Sequence, residues 1–309
     1  MPEIRRWGKK YVDKRDWAAY NESLVRRGEI LLNFDVLDEW NEQLKGMNDG
    51  KEGARFRYPE PFIRLLAYIH VLFHLPFRQE EGFVRALSKY VDGLMVPDYT
   101  TIWWRTRDLD MELKGVDTNE PITVAVDSTG IKVSNYGDWI RKKWKVKRGF
   151  LKVHLAVDVN GKEAVSMTVT EEKASDASQA GQLVKDAKSK NDIARLYGDG
   201  AYDSRAIFNL LAKNGIDPAI KVRRNSSRRA RGSHARKAAV IAQLDDLEGW
   251  KKEKGYGRRW AVEGTYSSIK RIFGEYVSAK TFVNMAKEMA TKASLYNLFM
   301  QMTPHYKGG

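Results

Sequence analysis

The sequence predicts an α/β protein in which a mixed-sheet core follows an all-helical amino-terminal region containing a helix-turn-helix-like pair. Three observations carry this. Apolar residues recur at helical spacing up to about residue 115, short β-branched runs replace them from residue 121, and strand-like and helix-like segments then alternate. The chain's 309 residues, 42% of them hydrophobic, suffice to bury one large core or two modest ones, so whole-chain disorder is excluded.

In chain order, Trp17, Tyr20, Leu24 and Leu31 give the first helical stripe, and Phe62, Leu65, Leu66, Ile69, Leu72 and Phe73 give a second. Pro59 and Pro61 suit the start of that second helix. Leu75-Pro76 stops it, because a residue before proline avoids the helical region. Gln79 to Tyr90, a turn at Asp92-Gly93 and the segment Pro97 to Arg107 form the helix-turn-helix-like pair, with Asp98 as N-cap of its second helix. If that helix reads DNA, Thr100, Thr101, Arg105 and Arg107 face it; the alternative is an ordinary helix pair with its tryptophans packed inward. Residues 1–115 form the helical region, for DNA binding or dimerisation, and residues 116–309 the core.

From residue 121 the reading is Ile122–Asp127 as a buried strand ending in a carboxylate, then Lys152–Val157 and Ala164–Val169 as a hairpin about Asn160-Gly161. Asp176 caps a helix reaching about Lys190, Ala194–Gly198 is a fourth strand, Ser204–Asn214 a helix and Pro218–Val222 a fifth strand. A helix from about Gly255 to Phe273 follows a basic, loop-like stretch, and Thr281–Met302 is a final amphipathic helix.

Composition narrows the function. Residues 1–120 hold 19 Lys+Arg against 21 Asp+Glu, while residues 121–309 hold 35 against 19, so the entire excess of +14 sits in the second part. A field of that strength attracts a polyanion, and nucleic acid is the commonest inside a cell. A basic enzyme merely solvated by its lysines is the alternative. Cysteine is absent, which excludes disulfides, thiolate catalysis and sulfur-ligated metal sites. The polar, basic segment Met1–Lys10 and the lack of a long apolar run predict a soluble cytoplasmic protein without a membrane span.

Three carboxylates stand out. Asp127 and Asp199 each close a predicted strand, where side chains of an α/β sheet project into a shared crevice, and Glu263 lies in the late helix. Convergence of the three would suit phosphoryl transfer, in which hard oxygen ligands hold two Mg2+ ions, with Mn2+ as substitute. A single Asp at a strand end is otherwise a cap or turn former. The helix adds weight: Tyr256, Arg259, Glu263 and Lys270 follow one another at spacings of three, four and seven, which puts them on one helical face. There a carboxylate would lie beside an aromatic hydroxyl and two cations able to hold phosphate. A solvated helix with intrahelical ion pairs is the plainer reading.

The pattern Tyr256-x2-Arg259-x3-Glu263-x6-Lys270 resembles the Y-R-E-K signature of DDE transposases of the insertion sequence 4 and insertion sequence 5 groups. Val126-Asp127-Ser128-Thr129-Gly130 is similar to the segment with their first Asp, and Gly198-Asp199-Gly200-Ala201-Tyr202-Asp203-Ser204 to that with the second. Trp17 to Gly28 and Val96 to Thr101 also look like the insertion sequence 5 group, so the resemblance spans nearly the whole chain. It implies a ribonuclease H-like core. It further implies an enzyme that binds the terminal inverted repeats of its element, cleaves the phosphodiester at each end and joins the freed 3′-hydroxyl to target DNA. By the same resemblance Asp127, Asp199 and Glu263 are the catalytic metal ligands, and Tyr256, Arg259 and Lys270 hold the DNA end. Asp203 is the rival for the second ligand, but it stands where a helix N-cap is expected. The partner is double-stranded DNA, two copies of the chain act together in synapsis, and the bound protein associates with the nucleoid.

Other features bear on this reading. Lys221 to Lys237 carries eight Lys+Arg in 17 residues and reads as a flexible basic loop in which Arg223, Arg224, Arg228 and Arg229 track phosphates, or as a merely solvated loop. The 63 residues between Asp199 and Glu263 are too few for a large β-rich insertion. Lys142, Lys143, Lys145, Lys147 and Arg148, beside Trp139 and Trp144, form a second basic aromatic cluster suited to stacking on unpaired bases or to edge packing. His70 and His74 have a zinc-helix spacing but lack the glutamate that such a motif carries, and packing is the better reading. No phosphate loop of the G-x-x-x-x-G-K-[ST] type occurs, so no nucleotide cofactor is expected. Two alternatives remain: a nuclease or resolvase of the same fold, and a catalytically silent DNA-binding protein derived from a transposase.

Overall fold

The computed structural model describes residues 4–6, 9–11, 15–32, 35–133, 149–229 and 231–303. Trp139, Lys142, Lys143, Trp144, Lys145, Lys147 and Arg148 lie outside them. The amino-terminal region is helical apart from a small antiparallel pair, β1 (Ile4–Arg6) and β2 (Lys9–Tyr11). Helices α1 (Trp17–Glu29), α2 (Trp40–Asn48), α3 (Glu60–Phe73), α4 (Phe77–Leu87) and α5 (Tyr99–Asp108) follow. Pro59 caps α3 and Pro61 sits in its first turn, where no amide hydrogen is needed; His74 ends it in the left-handed region at φ 54°.

Helix α3 is apolar nearly all round, and such a helix must be covered on both sides. Phe62, Leu65, Leu66 and Ile69 pack with Trp40, Val84 and Ile102 of the helical region. Ile63, Ala67, Tyr68 and Val71 belong to the same core as the sheet and the last helix. The change of sequence texture near residue 115 is therefore bridged by a shared core.

The sheet runs in the order β5-β4-β3-β6-β7, with β8 paired to the far end of β3. Strand β3 (Ile122–Val133) is antiparallel to β4 (Phe150–Asp158), which is antiparallel to β5 (Ala164–Glu171). Strands β6 (Ile193–Gly198) and β7 (Asp217–Ile220) run parallel to β3, as does β8 (Tyr276–Val277). Three antiparallel strands followed by two parallel ones on the other side of the first is a ribonuclease H-like arrangement. Helices α6 (Asp176–Lys190) and α7 (Arg205–Lys213) cover one face of it. The opposite face carries α10 (Trp260–Phe273) and α11 (Phe282–Gln301).

Several local expectations change. Strand β3 continues six residues past Asp127, because β4 stays paired with it from Asp158 back to Phe150, so Asp127 lies in mid-strand. The hairpin turn places its positive φ at Lys162 (60°), not at Asn160 or Gly161. Ser175, not Asp176, caps α6, accepting from the Ser178 amide, and Ser204, not Asp203, caps α7, accepting from that of Ile207. The stretch read as a loop before the late helix contains α8 (His234–Asp245) and α9 (Leu247–Lys254). Arg and Lys are good helix formers, so a basic composition does not argue against a helix. Finally, the late helix begins as a 3-10 turn, Tyr256–Arg259, before α10 proper.

Candidate active site

Parallel pairing sets the site. Strand β6 matches Ala125 with Tyr197 and ends at Gly198, so the chain leaves the sheet beside Val126 and Asp127 and places Asp199 there. The Asp199 carboxylate accepts the Ala201 amide at 2.8 Å, closing the turn. Asp127 accepts the Ser128 amide at 2.8 Å, and its carbonyl receives the hydroxyl of the buried Tyr266 of α10, also at 2.8 Å. The Tyr266 hydroxyl lies 2.9 Å from the Val153 carbonyl as well, so α10 is pinned across β3 and β4.

Helix α9 ends at Gly255, whose φ of 62° turns the chain into the 3-10 turn. That end is fixed to the sheet edge: the Lys254 carbonyl accepts from Tyr197 at 2.8 Å and from Arg195 at 3.0 Å, and the Lys254 ammonium reaches Asp217 at 2.9 Å. Tyr256 donates to the Gly198 carbonyl at 3.0 Å and rests against Trp250. Burial pushes its hydroxyl up to about 12; Asp199, Asp127 and Glu263 add to the shift and Arg259 opposes it. All four named groups thus act on one point.

Arg259 bridges two of the carboxylates. One guanidinium nitrogen lies 3.3 Å from Asp127 and another hydrogen-bonds Glu263, with Arg259 16% and Glu263 45% exposed. Lys270, two turns further along α10, donates to the Thr129 hydroxyl at 2.8 Å. Desolvation raises the Asp127 carboxyl, the Ser128 amide opposes that, and the charges of Asp199 and Glu263 add to it while Arg259 works against them. A cleft of about 520 Å³ opens here, lined by Asp127, Ser128, Thr129, Glu263, Ser267 and Lys270 among others. The structure thus brings together Asp127, Asp199, Glu263, Tyr256, Arg259 and Lys270.

The donor set is of the kind that suits a hard divalent cation: Asp127 and Glu263 meet at the Arg259 guanidinium, and the chain leaves β6 for Asp199 beside Asp127. As arranged, no group of three or more His, Asp or Glu side chains among the described residues is close enough to hold a metal ion.

The remaining candidates lie elsewhere. Thr100 and Thr101 hydrogen-bond Asp98 through amide and hydroxyl, which holds that carboxyl down at about 2. Arg105 donates to the Tyr58 carbonyl at 3.0 Å and stacks 4.4 Å over Phe56. His70 donates to the Leu75 carbonyl and stacks on Phe77, and His74 stacks on Tyr276. In the basic segment, Arg223 donates to the Gly200 carbonyl at 3.1 Å, Arg228 pairs with Asp245, and Arg224 and Arg229 are exposed. Sequence reasoning missed Tyr266, whose signal was its position three residues after Glu263, and the Asp203–Arg236 pair, which has no local signal.

Two family models, each described as a transposase DDE domain, match residues 118–298 and residues 25–136. Two distant structural similarities accompany them. A chain of the simian T-cell lymphotropic virus intasome bound to the PP2A regulatory subunit B56 gamma is 15% identical, with 70% of this chain and 68% of that one covered and a TM-score of 0.27. A chain of the piggyBac transposase synaptic complex with hairpin DNA is 10% identical, with 89% and 74% covered and a TM-score of 0.39. With residues 118–298, more than half its length, matched to the family, this chain belongs to the DDE transposases.

Proposed function

We propose that the protein is an insertion-sequence transposase that binds the terminal inverted repeats of its element, cuts the phosphodiester at each end and joins the 3′-hydroxyl ends to target DNA. The observation that carries this is that Arg259 bridges Asp127 and Glu263 where the Asp199 turn leaves β6 beside Asp127. The amino-terminal segments Trp17 to Gly28 and Val96 to Thr101 favour the insertion sequence 5 group. Two Mg2+ ions, replaceable by Mn2+, held by the three carboxylates would activate the attacking oxygen and stabilise the leaving one. Arg259 and Lys270 bind phosphate on the two sides of Glu263, and Tyr256 sets the depth to which the strand end enters. Arg223, Arg224, Arg228 and Arg229 follow the backbone beyond the Asp199 turn, and Thr100, Thr101 and Arg105 contact duplex outside the cleft. A homodimer joins the two element ends, in the cytoplasm and on the nucleoid. No helix among the described residues is long and apolar enough to cross a membrane.

The test uses DNA flanking the gene as donor and supercoiled plasmid as target, with Mg2+ or Mn2+. Wild type should give joined molecules, and Asp127→Asn or Glu263→Gln should lower cutting and joining at least about 100-fold while DNA binding persists. Cutting without joining indicates a nuclease or resolvase; binding alone, by wild type too, indicates a silent derivative.

A further inference from the structure

Four residues after Asp199 stands a second aspartate whose side chain is wholly buried. Asp203 accepts from Arg236 Nε at 2.6 Å and Nη2 at 2.8 Å, from the Arg223 amide at 2.9 Å and from the Ser226 hydroxyl at 3.3 Å. Arg236 Nη2 also reaches the Ser226 hydroxyl at 3.1 Å, so the pair and the basic segment form one knot. The segment leaves the sheet beside the second acid: the Lys221 amide donates to the Gly198 carbonyl at 3.2 Å and Arg223 Nε to that of Gly200 at 3.1 Å. Burial alone would raise the Asp203 carboxyl, but Arg236, the Arg223 amide and Ser226 hold it below its ordinary value. Both of its oxygens are engaged by these donors, so it is not available as a metal ligand.

A buried ion pair adds little to stability compared with apolar side chains of the same volume, so its worth lies in fixing geometry. Without such a fixture an exposed basic loop gives up backbone freedom at every residue it orders on binding. We propose that Asp203 and Arg236 are positioning residues that clamp the basic segment against the Asp199 turn, so that Arg223 and Arg224 meet the phosphates of DNA entering the cleft. This rests on the DNA-binding reading above.

Simple electrostatics and the clamp predict opposite signs. Asp203→Asn removes a negative charge from a basic surface, which by charge alone tightens DNA binding; loss of the clamp weakens it. The experiment measures binding of a labelled duplex of arbitrary sequence by fluorescence anisotropy across a salt series, with circular dichroism as fold control and Mn2+ binding by electron paramagnetic resonance on the same samples. Arg223→Gln with Arg224→Gln should lower the salt slope by about 2. Asp203→Asn should weaken binding about tenfold or more and lower the slope comparably, and combining it with the two arginine changes should add little, since all act as one unit. Arg236→Lys, which keeps the charge but not the two-pronged hold, should fall between, and it carries the test alone if Asp203→Asn does not fold. Mn2+ binding should be retained throughout. A wild-type slope in Asp203→Asn and Arg236→Lys, with a lowered slope in the double arginine variant, overturns the clamp and leaves the DNA reading standing. An unchanged slope in the double arginine variant overturns the DNA role of the segment and the clamp with it. Loss of Mn2+ by a folded Asp203→Asn makes Asp203 a ligand and also overturns the proposal.

Discussion

Glu80 of α4 is fully buried, and neither carboxylate oxygen has a hydrogen-bond partner among the described residues; His70 Nδ1, 3.8 Å away, donates to the Leu75 carbonyl instead. Burial raises its pKa to about 9. The folded chain therefore keeps a proton that the unfolded chain releases near its ordinary value, and stability present in acid is lost as pH rises from about 4.5 through about 9. Glu80→Gln should abolish this loss, making the protein more stable by up to roughly 5 kcal/mol at about pH 8 while changing little at about pH 4.5. Urea unfolding at the two pH values checks it; an equal pH slope in both proteins would count against it. No single-residue reading could have found Glu80, since a glutamate among apolar neighbours on an amphipathic helix looks solvated until α3 is laid over it. The second acid shows the same limit: Asp199 was legible from its strand, whereas the task of Asp203 depends on Arg236, 33 residues on.

At the scale of elements, the turn at Gly255 decides where half the site sits. A Cβ there would lie 3.3 Å from the Tyr197 hydroxyl, and the left-handed φ is strained for any other residue. Gly255→Ala should cost about 1–2 kcal/mol by chemical unfolding. It should lower strand transfer further than that loss of stability explains, because Tyr256 and Arg259 follow immediately; a change in stability alone would show that the turn is only structural. Most strands and helices were legible because their apolar periodicities are unambiguous. Strand β3 was cut short because Ser128, Thr129 and Gly130 break its apolar run, and its continuation is dictated by pairing with β4 rather than by its own composition. Helices α8 and α9 were missed because basic residues mask a helical stripe formed by Ala239, Val240 and Gln243.

For the whole molecule, the helical region and the sheet form one folding unit. Besides the shared core, Lys287 of α11 caps the end of α5 at the Arg107 carbonyl, Tyr68 meets Ser294 at 3.0 Å, and Arg27 reaches Thr303 at 2.6 Å. Ile63, Tyr68 and Val71 together contribute roughly 5 kcal/mol of burial, comparable with the total stability of a domain at about 5–15 kcal/mol. Residues 116–309 expressed alone should therefore bind hydrophobic dye and unfold without a cooperative transition; a sharp melt would show that the core closes without α3. The basic excess of the second part was legible from charge arithmetic, but the union of the two parts was not, since periodicity shows that a face is apolar and not what will cover it. The apolar back of α3 also has a history during synthesis. It emerges from the ribosome about 210 residues before α11, which at 5–20 residues per second leaves it uncovered for roughly 10 to 40 s. Until α11 arrives, the nascent chain offers a hydrophobic strip to chaperones, and the cleft beside β3 cannot assemble before α10 has been made.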